Sequence, residues 1–308
     1  MTKRYKKVYI EISNICNLQC SFCPEVFREK KIMSPEMFRN ILIQVLPLTD
    51  QVCLHLMGEP MAHPQFEEIL NICESKQAKI NLTSNGILLN RMRSFLLGSK
   101  CIRQINFSLH SFRDNFPEKS MDDYLHEIFS FSMDLMEINP EIYINYRLWN
   151  QKEISIINTT NEEVINKIEK YFAVLFNTHL ALDWKKSKRI TKRLNLHFDT
   201  EFEWPSLQKK FRSKKGFCHG LSSHFGIHAD GTVVPCCLDK EAGVNLGNCS
   251  KEEKSLQNIL ASARVNEIFQ GFKNFQLVED LCQKCTYIER FDGKLPVFQF
   301  FNEKSSAL

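Results

Sequence analysis

Apolar and polar positions along the chain switch repeatedly between two periods. Val8-Tyr9-Ile10-Glu11-Ile12 is β-rich and partly alternating, which predicts a first strand. Helical spacing follows at Phe38, Ile41, Leu42 and Val45, behind Ser34 as N-cap, Pro35 at the first helical position and Glu36 at the positive end of the dipole. The pattern then repeats. Strands are expected over 52–56, 79–83, 104–109, 142–148 and 193–198, and helices at Phe66 to Cys73 and over 88–97, 124–135 and 162–172. Such β–α alternation implies a parallel sheet with right-handed crossovers, and six strands are too few for a closed eight-stranded barrel. From about residue 216 the character changes. Residues 224–229 and 232–235 read as a hairpin across Asp230-Gly231, and 255–272 reads as one helix.

Composition sharpens this picture at two points. With 308 residues, 43% of them hydrophobic, there is material for one large domain and a small one. Twelve cysteines in a chain that starts on a basic segment without an apolar signal region argue for metal ligation in a reducing cytosol rather than for disulfides. A cytoplasmic location without membrane attachment is therefore expected, and no stretch approaches 18 apolar residues. The net charge of +4 is too modest to imply nucleic acid by itself. Charge is concentrated, however, over 185–215, where eleven basic residues face three acidic ones and Trp184, Phe198, Trp204 and Phe211 interleave. A phosphate-contacting face is one reading of that stretch; a solvated loop joining the two parts is the blander one.

The chemistry concentrates on Cys16-Asn17-Leu18-Gln19-Cys20-Ser21-Phe22-Cys23, on the loop after the first strand. Soft thiolates at C-x3-C-x2-C suit iron–sulfur clusters, zinc or copper(I). A structural zinc site closes with four ligands, whereas three cysteines on a four-iron cluster leave one iron for a non-protein ligand. The stretch closely resembles the cluster loop of the radical S-adenosylmethionine (SAM) enzymes. That resemblance implies an open, partial (β/α)6 barrel of the TIM type, a 4Fe–4S cluster held by Cys16, Cys20 and Cys23, and SAM chelated to the open iron. It also implies reductive cleavage of SAM to methionine and a 5′-deoxyadenosyl radical. A reducing partner such as flavodoxin or ferredoxin would supply the electron. Met57-Gly58-Glu59-Pro60 resembles the family's G-G-E-P segment, near the SAM amino group. Thr83-Ser84-Asn85-Gly86 is similar to its T-N-G segment, and Ser108 to its ribose-facing serine. Phe22, Gly58, Glu59, Pro60, Ser84, Asn85, Ser108 and Arg147 are thus expected to bind the cofactor, Arg147 through the SAM carboxylate.

In the tail, Cys218, Gly231 and Cys236, followed by Cys282-Gln283-Lys284-Cys285, resemble the auxiliary-cluster domain of the SPASM and twitch radical SAM enzymes. No cysteine follows Cys285, which fits the shorter twitch form with one further 4Fe–4S cluster. Cys237 adjoins Cys236 and competes with it as ligand; the count from Gly231 favours Cys236. The same four cysteines would also suit zinc. The expected division is a barrel over 1–200, a basic linker over 201–215 and an auxiliary iron–sulfur unit over 216–308, a Cys-rich hairpin plus helix. His110 and Cys249 are candidate catalytic groups, each with an alternative as a packing or polar-network residue. The favoured activity is hydrogen-atom abstraction from an unidentified substrate. Two alternatives are an RNA-modifying radical SAM enzyme using 185–215 and a non-catalytic iron–sulfur protein.

Overall fold

The structure, a computed structural model, describes residues 5–152, 158–176, 186–250 and 255–291. The first half runs β1 (Lys7–Ile10), α1 (Pro35–Val45), β2 (Val52–Cys53), α2 (Phe66–Ser75), β3 (Ile80–Ser84), α3 (Leu89–Gly98), β4 (Ile102–Ser108), α4 (His110–Asn115) and α5 (Asp122–Ile138). It continues with β5 (Tyr143–Gln151), α6 (Thr159–Phe172), β6 (Ser187–Thr191) and β7 (Leu194–Thr200). The tail adds β8 (His224–Ile227), β9 (Thr232–Val234), β10 (Gly247–Asn248), α7 (Leu256–Leu260), α8 (Ala263–Lys273) and α9 (Asp280–Gln283).

All ten strands form one sheet in the order β10-β9-β8-β1-β2-β3-β4-β5-β7-β6. The pairs from β8 through β7 are parallel, and β6, β9 and β10 run antiparallel to their neighbours. The tail hairpin is therefore not a separate sheet, because β8 lies parallel against β1 with Val8 opposite Phe225. Alternation along the strands sorts the side chains into two sets. Val8, Ile10, Val52, Ile80, Leu82, Ile105, Phe107, Ile144, Tyr146, Leu194 and Leu196 belong to the large core shared with the helices. Tyr9, Cys53, Leu56 and Val234 form a second, small cluster of their own, on the opposite face of the sheet inside the partial barrel.

Three expectations are corrected. The second strand is two residues long instead of five: the chain leaves the sheet so that Met57 N can donate to Glu11 Oε2 (3.1 Å) and Glu59 N to Ile15 O (3.0 Å). The helix expected over 255–272 is broken, because Ser262 turns extended and its hydroxyl accepts from Val265 N, capping α8. The basic stretch is only partly a loop: Ser187–Thr191 is an edge strand, with Ile190 buried and Lys186 paired with Asp199 at 2.8 Å. Trp184 and Lys185 of that stretch, and residues 292–308 of the expected auxiliary unit, lie outside the described residues. Among the described residues no helix is long and apolar enough to cross a membrane.

Candidate metal and cofactor sites

The cysteine loop leaves β1 and is pinched shut at its base. Ser13 pairs with Ile32, Met33 N donates to Ile12 O (2.9 Å), and the Asn14 side chain bonds Glu29 O and Lys31 N at 2.8 Å each. Within it, Cys23 N donates to Cys20 O at 3.0 Å, a tight turn that brings the last two cysteines to one side. The short helix α4 braces the turn. Asp114 accepts from Ser21 N (2.6 Å) and Ser21 Oγ (2.7 Å), and Asn115 Oδ1 accepts from Gln19 N (2.9 Å). Asn115 Nδ2 donates to Cys20 Sγ at 3.2 Å and Leu18 N to Cys16 Sγ at 3.5 Å. Donors aimed at sulfur favour the thiolate, the form that ligates metal.

Farther along the loop, Arg28 reaches Glu11 at 2.6 Å. Glu11 is fully buried, and its second oxygen accepts from Ala229 N (3.1 Å) at the end of β8. One carboxylate thus ties together β1, the β2 loop, the cysteine loop and the tail. Asp114, Asn115 and Arg28 carry no motif. Glu11 left one sequence signal, a lone charge in an otherwise apolar strand.

The β2 loop crosses directly over the base of the cysteine loop. Gly58 has φ +78°, and a Cβ there would lie 2.3 Å from Ser13 O and 2.9 Å from Ile15 O. Only glycine permits that approach. Glu59 is buried and each of its oxygens accepts a backbone bond, Oε1 from Met61 N (3.0 Å) and Oε2 from Asn85 N (2.8 Å). Burial pushes its carboxyl up to about 7 against those bonds. Asn85 in turn donates to Asn17 Oδ1 (2.9 Å), and its carbonyl accepts from Tyr124 Oη (2.8 Å). The three loops are tied to one another by these bonds. They enclose a cavity of about 830 Å³, whose lining includes Cys16, Cys20, Cys23 and Phe22 from the first loop. Gly58, Glu59, Ser84, Asn85, Ser108, His55 and Trp204 complete its wall, and Trp204 Nε1 donates to Phe22 O at 3.3 Å. Pro60, immediately after Glu59, is buried at the start of a short 3-10 turn and does not line the cavity.

The remaining candidates fall elsewhere. His110 is buried, its Nδ1–H donates to Arg147 O (3.0 Å), and its ring packs on Phe22 at 4.6 Å. Burial pulls its pKa down to about 4, so it stays neutral, and it does not line the cavity. Cys249 is buried in the tail, where its thiol donates to Gly231 O at 3.4 Å. Arg147 sits in the barrel interior in register with Ser108 and His197, outside the cavity lining.

In the tail, Cys218, Cys236, Cys282 and Cys285 converge. Burial and the neighbouring thiols Cys285 and Cys237 push Cys218 up to about 12, and Cys218 and Cys285 raise Cys282 in turn. Gly220 N donates to Cys218 Sγ and Leu238 N to Cys236 Sγ, both at 3.4 Å. Cys237 faces His224 and Tyr9, toward the barrel.

A single tetrahedral zinc would draw its thiolates to about 3.8 Å of one another. Among the described residues only His224, Cys236 and Cys237 offer three ligand atoms within 4.8 Å. Neither the loop triplet nor the tail quartet is drawn together around one ion. The sulfur-directed N–H donors suit thiolates that ligate a metal centre.

Comparison with known proteins agrees with this chemistry. A model of the radical SAM superfamily matches residues 10–178, and one of the SPASM iron–sulfur cluster-binding domain matches residues 218–286. The chain belongs to the radical SAM superfamily. It is therefore an enzyme that uses SAM and a 4Fe–4S cluster, carries an auxiliary iron–sulfur domain and needs a reductant. It is similar to the GTP 3′,8-cyclase of Aquifex aeolicus, 22% identical over 91% of this chain and 97% of that protein. The GTP 3′,8-cyclase of Synechocystis sp. is 30% identical, but the match spans only 35% of each chain. Two solved structures share the fold. BtrN in complex with AdoMet and 2-DOIA has a TM-score of 0.53 at 14% identity over 93% of this chain and 94% of that one. Streptococcus suis SuiB bound to S-adenosylmethionine has 0.57 at 18% over 93% and 72%.

Proposed function

We propose that Cys16, Cys20 and Cys23 hold the SAM-binding 4Fe–4S cluster and that the protein abstracts a hydrogen atom from an unreactive C–H bond of its substrate. The observation that carries this reading is the shared cavity. The three thiols rim the same space as Gly58, Glu59, Ser84, Asn85 and Ser108. Cluster and SAM together supply reductive cleavage to methionine and a 5′-deoxyadenosyl radical. The chain's own residues bind and orient. Glu59 fixes the β2 and β3 loops, and a remaining lone pair of its carboxylate or a nearby backbone carbonyl accepts from the SAM ammonium. Ser108 faces the ribose, and Phe22 packs beside the cofactor, propped by neutral His110. Flavodoxin or ferredoxin fits the need for a one-electron donor.

Cys218, Cys236, Cys282 and Cys285 hold one auxiliary cluster whose irons are all protein-ligated. Residues 1–200, 201–215 and 216–308 then act as barrel, linker and auxiliary unit. Wild-type protein reconstituted anaerobically should carry about eight irons, and SAM should alter the electron paramagnetic resonance signal of only one cluster. Cys237→Ala should keep all the iron, while Cys236→Ala should lose about half of it. The reverse pattern would move the ligand to Cys237.

A further inference from the structure

The barrel interior beside the cavity carries the cations Arg147 and Lys7. The Arg147 guanidinium lies over the Trp149 ring at 4.2 Å, and its Nε is buried without a hydrogen-bond partner. Among the described residues it forms no ion pair with a carboxylate. Two more buried polar atoms, His55 Nδ1 and His224 Nε2, also lack partners. Their rings flank Tyr9 at 5.7 and 5.9 Å, and Lys7 lies 5.2 Å from the same ring. His197 stands beside Arg147 on the neighbouring strand. Burial lowers Arg147 to about 10, and burial, with the Arg147 charge as a smaller cause, depresses His55 and His197, so both histidines lie within reach of Arg147. A protein rarely leaves a buried guanidinium nitrogen without an acceptor, and the Arg147 Nε is one, on a side chain that is only half-buried.

We propose that Arg147 anchors an oxyanion of the substrate, a phosphate ester or a carboxylate, with Tyr9 and the partnerless nitrogens of His55 and His224 beside it. This deepens the reading given under Proposed function and rests on it. A guanidinium binds such a group through two parallel hydrogen bonds, and Arg147 lies outside the cavity lining. His55 belongs both to the SAM cavity and to the surroundings of Arg147. A substrate anchored by its anionic end would therefore extend toward the SAM cavity.

The test is calorimetric titration of SAM-loaded, reconstituted enzyme with inorganic phosphate, pyrophosphate and acetate at fixed ionic strength. The wild type should show about one saturable site per chain for the phosphate probes or for acetate, and the binding arm identifies the source of the oxyanion. Arg147→Gln should weaken that binding tenfold or more, and Arg147→Lys, which keeps charge but loses the fork, should fall between. Tryptophan fluorescence of the wild type should change on binding, because Trp149 stacks on the guanidinium. The proposal is overturned if the wild type shows no saturable oxyanion site or if Arg147→Gln and Arg147→Lys both bind as the wild type does. A tenfold loss of SAM affinity in Arg147→Lys would also overturn it, since Arg147 would then serve the SAM carboxylate. A wild type that never cleaves SAM fails the underlying reading instead, whatever the oxyanion titrations show.

Discussion

Replacing Cys16, Cys20 and Cys23 together with alanine is expected to remove about four of about eight irons per chain and to abolish the response of the protein's resonance spectrum to SAM. The three thiols are the loop's only cysteines, and their loss removes the bonds that Asn115 Nδ2 and Leu18 N donate to sulfur. Ser21 stays on Asp114, Gln19 stays on Asn115, and the base remains pinched by Asn14. The tail quartet lies in another part of the sheet, against β8 and β9, so its iron should remain. The loss is thus separable by chemical iron analysis from general unfolding, which would release all of it. A triple variant that keeps all its iron would remove the loop from the ligand set.

The largest effect on stability is expected at Glu11. Its carboxylate is wholly buried and holds four elements through Arg28, Met57 N and Ala229 N. Glu11→Ala leaves a largely buried guanidinium without its carboxylate, holding only the Lys240 carbonyl through Nε, and two backbone N–H groups without acceptors. Breaking one partner of a buried ion pair costs about 3–5 kcal/mol. Glu11→Gln, which keeps one acceptor oxygen, should lose less. Equilibrium denaturation of the two variants measures both. A loss below about 1 kcal/mol for Glu11→Ala, the level of an exposed pair, would mean that the carboxylate does not hold the loops together.

What the sequence revealed follows the range of the interactions involved. The β–α alternation was legible because each strand has one face against the helices, so Val8, Ile10, Leu82 and Phe107 had to recur with period two. The thiol triplet was legible because its ligands are neighbours in sequence. The tail's attachment to β1 was not, since Phe225 meets Val8 across more than two hundred residues and no local pattern encodes a parallel partner. The braces on the cysteine loop were hidden for the same reason. Asp114 and Asn115 act on loop amides and a cysteine sulfur, and Arg28 on one buried acid, partners that lie far away in sequence or carry no local pattern. The break at Ser262 was missed because apolar spacing continues across it, while a capping hydroxyl decides the local conformation.

The central claim is that this cavity activates SAM by reduction. The most direct measurement is 5′-deoxyadenosine formation by anaerobically reconstituted wild-type protein given dithionite and SAM. The account predicts 5′-deoxyadenosine and methionine in equal amounts, formed in proportion to enzyme and absent from the triple cysteine variant. Fully iron-loaded protein that yields no 5′-deoxyadenosine above the triple variant's background would contradict it.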